Sequence, residues 1–135
     1  MEEMTLRVPV TVKAKVTEDL KAQIIADLEG RLDMVEKDLQ QIEFQAKRLL
    51  SEQAKIDAQG LVQIRQQIEE EQHKRLAFKE EVTAKLKDAK ELLIGTEIPQ
   101  GNLEQTITVK VGDDLNAMMG AEILLEDGKV VAFRQ

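Results

Sequence analysis

The N-terminal segment alternates between apolar and polar residues with a period of two. From residue 5 to residue 16, valine, leucine and alanine occupy the even positions, and polar residues or proline occupy the odd ones. This period predicts a strand with one buried face. Pro9 has no N–H to donate to a neighbouring strand. We therefore predict that the strand lies at an edge of its sheet, or that Pro9 points its missing donor outward.

The central segment, residues 17–94, contains no proline, and the apolar residues of its first half follow a three-four spacing. Thr17 fits an N-cap, because Glu18 and Asp19 follow it where the helix dipole favours acidic side chains. The spacing is typical of a coiled-coil seam. The predicted seam positions are Ile25, Leu28, Leu32, Val35, Leu39, Ile42, Ala46, Leu49, Gln53 and Ile56, then Leu61, Ile64, Ile68, Gln72, Leu76, Phe78, Val82, Leu86, Ala89 and Leu93.

Gly60 lies near the middle of this segment, and a turn near residues 58–60 brings the two apolar series opposite one another. The opposed pairs are Leu49 with Ile68, Ile42 with Leu76, Leu39 with Phe78, Val35 with Val82, Leu32 with Leu86 and Ile25 with Leu93. Burial of such side chains is needed to hold helices of this length, since propensity alone does not. We predict an antiparallel coiled-coil α-hairpin; the alternative is one long helix in a parallel dimer.

The C-terminal segment changes character after Gly95. Residues 106–111 alternate like a strand, and Asp113 or Asp114 can cap one helical turn over residues 115–119. Asp127-Gly128 separates two apolar runs, which is a strong signal for a tight β-hairpin because both loop residues tolerate positive φ.

The fold class predicted from these elements is α+β. A long antiparallel coiled-coil α-hairpin, residues 17–94, projects from a small antiparallel β module built from both termini, residues 1–16 and 95–135. Few strands and few aromatic residues make the core of this module marginal. We expect the bases of the helices, a partner subunit or both to help cover it.

Composition narrows the classes of function. The net charge is −7, which argues against nonspecific binding to nucleic acid, where neutralising phosphates requires excess lysine and arginine. The chain has no cysteine, so disulfides and thiolate zinc sites are excluded. Its apolar runs are too short for a membrane-spanning helix, and its acidic start does not resemble a secretory signal. We expect a cytoplasmic protein that does not bind a membrane.

The sequence offers little for catalysis. His73 is the only histidine, and Glu69 is the single carboxylate one helical turn from it, so a metal site lacks ligands. Asp113 and Asp114 fit a strand end and a helix cap better than a calcium loop, and the glycines form no phosphate-binding loop. We predict no catalytic residue, no metal ligand and no cofactor, and expect the protein not to be an enzyme.

Three apolar residues are candidate contacts for a partner or for another copy of the chain. Phe44 and Met34 fall at outer positions of the helical register, away from the seam. Leu20 widens the apolar stripe near the helix start, where it can also cover the β module. We expect a homo-oligomer, a dimer or higher, together with a protein partner that the sequence does not identify.

The end of the hairpin carries two acidic residues, Glu52 and Asp57. In outline, an acidic tip on a long helical hairpin resembles factors that insert such a tip into the secondary channel of RNA polymerase. A transcription- or ribosome-associated regulator that acts through this tip is therefore an alternative. A holdase-like chaperone is another, although the glutamine-rich stretch near the tip fits apolar client binding poorly.

Several stretches of the chain resemble the YlqD family of bacterial proteins. They are Val10–Glu18, Leu39–Leu50, Val109–Leu115 and Met119–Val131, of which the parts around Val111-Gly-Asp-Asp114 and Asp127-Gly128 are the most specific. The resemblance implies no activity, cofactor or catalytic residue. Our leading hypothesis is a non-enzymatic interaction protein that uses its coiled-coil arm as a binding surface.

Overall fold

A computed structural model describes residues 2–135, so residue 1 of the predicted terminal segment lies outside the described residues. The chain is mixed α+β and forms two compact units, one from the terminal segments up to Ala22 and from Leu92, the other from Gln23–Glu91. The elements are β1 Glu3–Lys15, α1 Glu18–Ile56, α2 Gly60–Lys90, β2 Glu97–Lys110, α3 Leu115–Met118, β3 Glu122–Glu126 and β4 Lys129–Arg134. None of the helices in residues 2–135 is long and apolar enough to cross a membrane.

The four strands form one mixed sheet in the order β2-β1-β3-β4. β1 pairs antiparallel with β2 and parallel with β3, so the prediction of a wholly antiparallel module is wrong. The cause is the return path of the chain. β2 ends opposite Glu3, whereas β3 begins opposite Thr11, so residues 111–121 carry the chain back along β1 and β3 runs in the direction of β1.

Pro9 lies in a central strand, not in an edge strand, because β1 has neighbours on both sides. Thr11 donates its N–H to the C=O of Ala121, on the β3 side. Backbone groups two residues apart in a strand point the same way, so the nitrogen of Pro9 also faces the β3 side. β3 pairs with β1 only from Thr11 to Ala14, so Pro9 lies beyond it and its missing donor points outward as the second prediction required.

Local capping signals were predicted correctly. The Oγ1 of Thr17 accepts a hydrogen bond from the N–H of Leu20, which makes Thr17 the N-cap of α1. Asp114 caps α3 by accepting from the N–H groups of Asn116 and Ala117. Asp127 and Gly128 both have positive φ and join β3 to β4 in a tight hairpin.

In the second unit, α1 and α2 are separate helices that contact each other through a small apolar core. Leu28, Val82, Leu86 and Ala89 are buried together in it, with partly buried Ile24, Ile25 and Leu32 around them. Val35 and Ala46 are the other buried residues of α1. The chain between the helices is short, since α1 ends at Ile56 and α2 begins at Gly60.

The observed stripe on α2 differs from the predicted seam in its middle. Leu76 and Phe78 are exposed, while Arg75 and Lys79 are half-buried in their place. The aliphatic stems of arginine and lysine cover apolar surface while their charges remain in water. Nζ of Lys79 lies 3.6 Å from Oε1 of Glu36, which pairs the charge with α1.

The ends of the predicted seam are also exposed. Leu49 and Ile56 on α1 face solvent, and Leu93 lies beyond the end of α2 and is exposed. Leu50 is half-buried instead of Leu49. The opposed pairs that contain Leu49 and Leu93 are therefore wrong.

Candidate interaction surface

Phe44 is the most exposed aromatic side chain on the helical unit. It lies on α1 with 71% of its surface exposed. Lys37, Gln40, Gln41 and Gln45 line a shallow hollow beside it. Together with Phe44, the glutamines lie three, four, seven and eight residues after Lys37, so all five residues share one face of the helix. The hollow combines one aromatic ring, three amides and one ammonium group, so a single apolar side chain stands among polar ones.

Met34 is also exposed, but it does not contact this hollow. It lies ten residues before Phe44, which corresponds to roughly 15 Å along the helix at 1.5 Å per residue. The two side chains therefore mark two points of one long surface and do not form a single pocket. Both face away from the buried stripe, where the helical register places them.

Leu20 lies apart from these two residues. It belongs to the first turn of α1, within the unit that contains the sheet, and it is half-buried. Nearby, Nζ of Lys21 donates a hydrogen bond of 2.8 Å to the C=O of Leu92, which ties the helix start to the segment before β2. The structure thus divides the candidate contacts between the two units.

The two acidic residues of the predicted tip each have a local partner. Oε1 of Glu52 lies 3.2 Å from Nε of Arg48, one helical turn earlier. Oδ1 of Asp57 accepts a hydrogen bond of 2.9 Å from the N–H of Gln59, and the C=O of Asp57 accepts one from Nε2 of Gln53. These bonds shape the turn between the helices. In residues 2–135, no three His, Cys, Asp or Glu side chains are grouped so that they could hold a metal ion.

Sequence reasoning missed a set of exposed apolar residues because it placed them in the seam or did not consider them. Leu49, Ile56 and Val62 are exposed around the turn between the helices, and Leu76 and Phe78 are exposed on α2. A seam on α2 that includes Arg75 and Lys79 keeps the three-four spacing and leaves Leu76 and Phe78 outside it. This spacing was the signal that would have identified Leu76 and Phe78 as exposed. Together these residues give the helical unit more exposed apolar surface than Phe44 and Met34 alone.

The polar face of the sheet carries a cluster of charged side chains. Glu122 lies 2.9 Å from Nζ of Lys13 and 3.6 Å from Nε of Arg134. Arg134 also forms an ion pair with Glu97. The hydrogen bond from Arg134 holds the pKa of Glu97 below its ordinary value, helped by the attraction of Arg134, Lys13 and Lys15 and opposed by desolvation.

This pair gives a prediction about pH. The folded-state pKa of Glu97 is lowered, so its contribution to stability is present above the ordinary glutamate pKa and is lost as the pH falls through the folded-state value. We expect Arg134→Gln to raise the pKa of Glu97 towards that ordinary value, as measured by NMR titration of its carboxyl carbon. Arg7→Gln is the matched control, because Arg7 does not contribute to the lowered pKa of Glu97. An unchanged pKa in Arg134→Gln would contradict the assignment.

Comparison with known proteins gives a matching family and a similar solved structure. The family model described as YlqD protein matches residues 4–134. A crystal structure of a protein of unknown function from Synechococcus sp. WH 8102 is similar to this chain with a TM-score of 0.79 and 22% sequence identity, and the similarity covers 98% of this chain and 95% of that one. No curated protein matches the chain. The structural similarity shows a shared fold.

Proposed function

The chain belongs to the YlqD family, and for this member we propose a non-enzymatic protein-interaction function in the cytoplasm. α1 and α2 together form an antiparallel coiled-coil arm, and the outer face of α1 around Phe44 binds a protein partner. Self-association into a homo-oligomer is part of the proposal. The exposure of Phe44 is the single observation that carries it.

Contacts between the two helices support the antiparallel arm. Oδ2 of Asp38 lies 3.7 Å from Nε of Arg75, and Glu36 pairs with Lys79. As the residue number falls on α1, the number of its partner rises on α2, which is the order expected for antiparallel helices. The apolar core continues this order, because Leu28 on α1 is buried with residues near the end of α2.

The energetics of Phe44 support a binding role. Transfer of a phenylalanine side chain from water to an apolar interface is worth about 1.5–3 kcal/mol. Helix stability does not require this residue, because it makes no part of the buried core. Aromatic residues at the centre of an interface, surrounded by polar side chains that exclude water, carry a large share of binding energy. The amides and Lys37 around Phe44 fit that arrangement.

The acidic tip has less support as a site. Asp57 accepts hydrogen bonds within the turn, and Glu52 is paired with Arg48, so both carboxylates already stabilise the local fold. A carboxylate that holds a catalytic metal has to present its oxygens to the metal. We therefore place the binding function on the outer face of α1.

The test is site-specific photo-crosslinking in cells, with the crosslinker at residue 44 and, as a control, at exposed Gln66 on α2. We expect a discrete crosslinked protein from residue 44 that is absent from residue 66. Phe44→Glu should reduce recovery of that protein about 5- to 30-fold, as loss of a 1–2 kcal/mol contact predicts, while Gln66→Glu leaves it unchanged. Identical crosslinking patterns from both positions would overturn the proposal.

A further inference from the structure

The outer edge of β2 is long and unpaired. Within residues 2–135, β1 is the only neighbour of β2, and β2 is the terminal strand of the sheet. Between Asn102 and Thr108, β2 contains no proline, lysine or bulge, and Thr106, Ile107 and Thr108 favour strands. An unprotected edge of this length is a template for a further strand.

The direction of the backbone groups can be assigned from two hydrogen bonds. Thr11 donates its N–H to Ala121 on the β3 side, so the backbone groups of the even-numbered β1 residues point towards β2. These even-numbered residues pair with the odd-numbered residues of β2, and Val111 donates its N–H to the C=O of Glu2 in the same way. The backbone N–H and C=O groups of the odd-numbered β2 residues from Leu103 onward therefore point towards β1. The alternation of a strand then points the N–H and C=O groups of the even-numbered residues outward. These residues are Asn102, Glu104, Thr106, Thr108 and Lys110.

The ends of this edge are closed and its middle is open. Lys110 uses both outward groups locally, because its N–H donates to Oδ2 of Asp113 and its C=O accepts from the N–H of Asp113. Pro99 closes the other end, since it has no donor. Within residues 2–135, the outward groups of Asn102, Glu104, Thr106 and Thr108 have no hydrogen-bond partner.

The other free edges of the sheet are protected. The outward side of β1 before Thr11 presents Glu3, Arg7 and Pro9. β4 has only six residues and carries a charged residue at each end. Charged residues, proline and short length are the usual ways in which proteins prevent strands from pairing at an edge. β2 has 14 residues, and its open window contains no proline and a single charged residue, Glu104.

We propose that β2 pairs antiparallel with β2 of a second copy of this chain, with Thr106 facing Thr106 at the two-fold axis. Glu104 then faces Thr108 of the second copy, and the pairing uses outward groups that are free in each chain. Three directly opposed pairs of this kind supply six backbone hydrogen bonds, about two per pair. The sheet becomes continuous through both copies.

Side-chain complementarity favours this register. Leu103, which is exposed, faces Val109 of the second copy on the apolar side of the sheet. Glu104 lies diagonal to Lys110 of the second copy, within reach of a long side chain. Pairing centred on Gln105 instead brings the two Glu104 residues diagonal to one another, and pairing centred on Ile107 needs the backbone groups of Lys110 that Asp113 already occupies.

This inference rests on the self-association in the proposed function and places its interface on the sheet, but it requires no binding at Phe44. The absence of cysteine from the natural chain allows a direct test with single-cysteine variants. Residues paired at the two-fold axis have Cα atoms about 5.5 Å apart, which suits a disulfide. We expect Thr106→Cys to form a disulfide-linked dimer under mild oxidation at least about fivefold faster than Gln105→Cys, Ile107→Cys or Thr5→Cys. Thr5→Cys reports random collision, because its edge of β1 is free.

Faster linkage of Gln105→Cys or Ile107→Cys would overturn the Thr106 register. Rates equal to that of Thr5→Cys in all three β2 variants would overturn the interface itself. Neither result bears on Phe44, so the binding of a protein partner at Phe44 is tested separately by crosslinking.

A second measurement does not depend on cysteine chemistry. Thr106→Pro removes an outward donor and leaves the ladder to β1 intact, because Thr106 does not donate to β1. We expect it to raise the dimer dissociation constant by about tenfold or more in sedimentation, since two intermolecular hydrogen bonds are lost at the axis. Thr5→Pro, with an unchanged far-UV circular dichroism spectrum in both variants, is the matched control. A monomeric natural chain at high micromolar concentration, or equal dissociation constants for the two variants, would overturn the proposal.

Discussion

Leu86→Ala is expected to lower the free energy of unfolding of the helical unit by about 2–4 kcal/mol. Leu86 has 8% of its surface exposed and belongs to the apolar core with Leu28, Val82 and Ala89. Shortening the side chain removes apolar contacts and leaves a cavity that two helices close only in part. Urea denaturation followed by far-UV circular dichroism measures the change, because most of the helical signal comes from α1 and α2.

Leu76→Ala is the matched control, since it makes the same change on the same helix. Leu76 is 46% exposed, so we expect a change within about 0.5 kcal/mol. The comparison also separates two registers of α2. If Leu76 lay in the seam, as the three-four spacing of apolar residues first indicates, the two variants would lose similar stability.

Val16→Asp is expected to prevent the sheet unit from folding, with a loss of more than about 4 kcal/mol. Val16 has 0% exposure, its N–H donates to the C=O of Thr96, and its C=O accepts from the N–H of Gly95. A carboxylate at this position has to be buried without a partner or protonated, and both cost several kcal/mol. The expected result is loss of the dispersed amide resonances of the strands in NMR spectra.

Val111→Asp introduces the same carboxylate at the end of β2. Val111 is 89% exposed, so the new charge stays in water and we expect the spectrum of the strands to be retained. A folded sheet in Val16→Asp would show that this position is not part of the core. Loss of the dispersed amide resonances in Val111→Asp would show that the carboxylate itself, and not its burial, disrupts the unit.

Local signals were sufficient to predict many elements of the fold. Thr17 as an N-cap, the helical turn after Asp114 and the Asp127-Gly128 hairpin each depend on chemistry within a few residues. The alternation along β1 also predicted which of its faces is buried, since Val8, Val10 and Ala14 are buried in the structure. Such patterns reflect hydrogen bonds within a segment, or the burial of one face of the segment against the core.

The position of β1 in the sheet was not predictable in the same way. Strand order depends on the path of residues 111–121, which returns the chain along β1 and makes β3 parallel to it. Alternation shows that one face of a strand is buried, but it does not count the neighbours of the strand. Pro9 predicts an edge strand or an outward-pointing missing donor, and the second holds: a central strand tolerates Pro9 because β3 is too short to reach it.

For the candidate interaction surface, the helical register predicted that Phe44 and Met34 point outward, and the structure shows both as exposed. The same analysis placed Leu76 and Phe78 in the seam, because a search for apolar residues passes over long charged side chains. Arg75 and Lys79 occupy the half-buried positions with their aliphatic stems, and their charges reach Asp38 and Glu36. Placing such residues requires the contacts that they make with the other helix, and the sequence alone does not give these contacts.

The pairing of β1 with strands from the far end of the chain has a consequence during protein synthesis. Its partners β2 and β3 are made only after both long helices. Roughly 80 residues separate the end of β1 from the start of β2. At a synthesis rate of about 5–20 residues per second, the nascent strand waits roughly 4–16 s for a neighbour. During that interval, Arg7 and Pro9 limit pairing of the β3 side of β1 with strands of other nascent chains on the same mRNA.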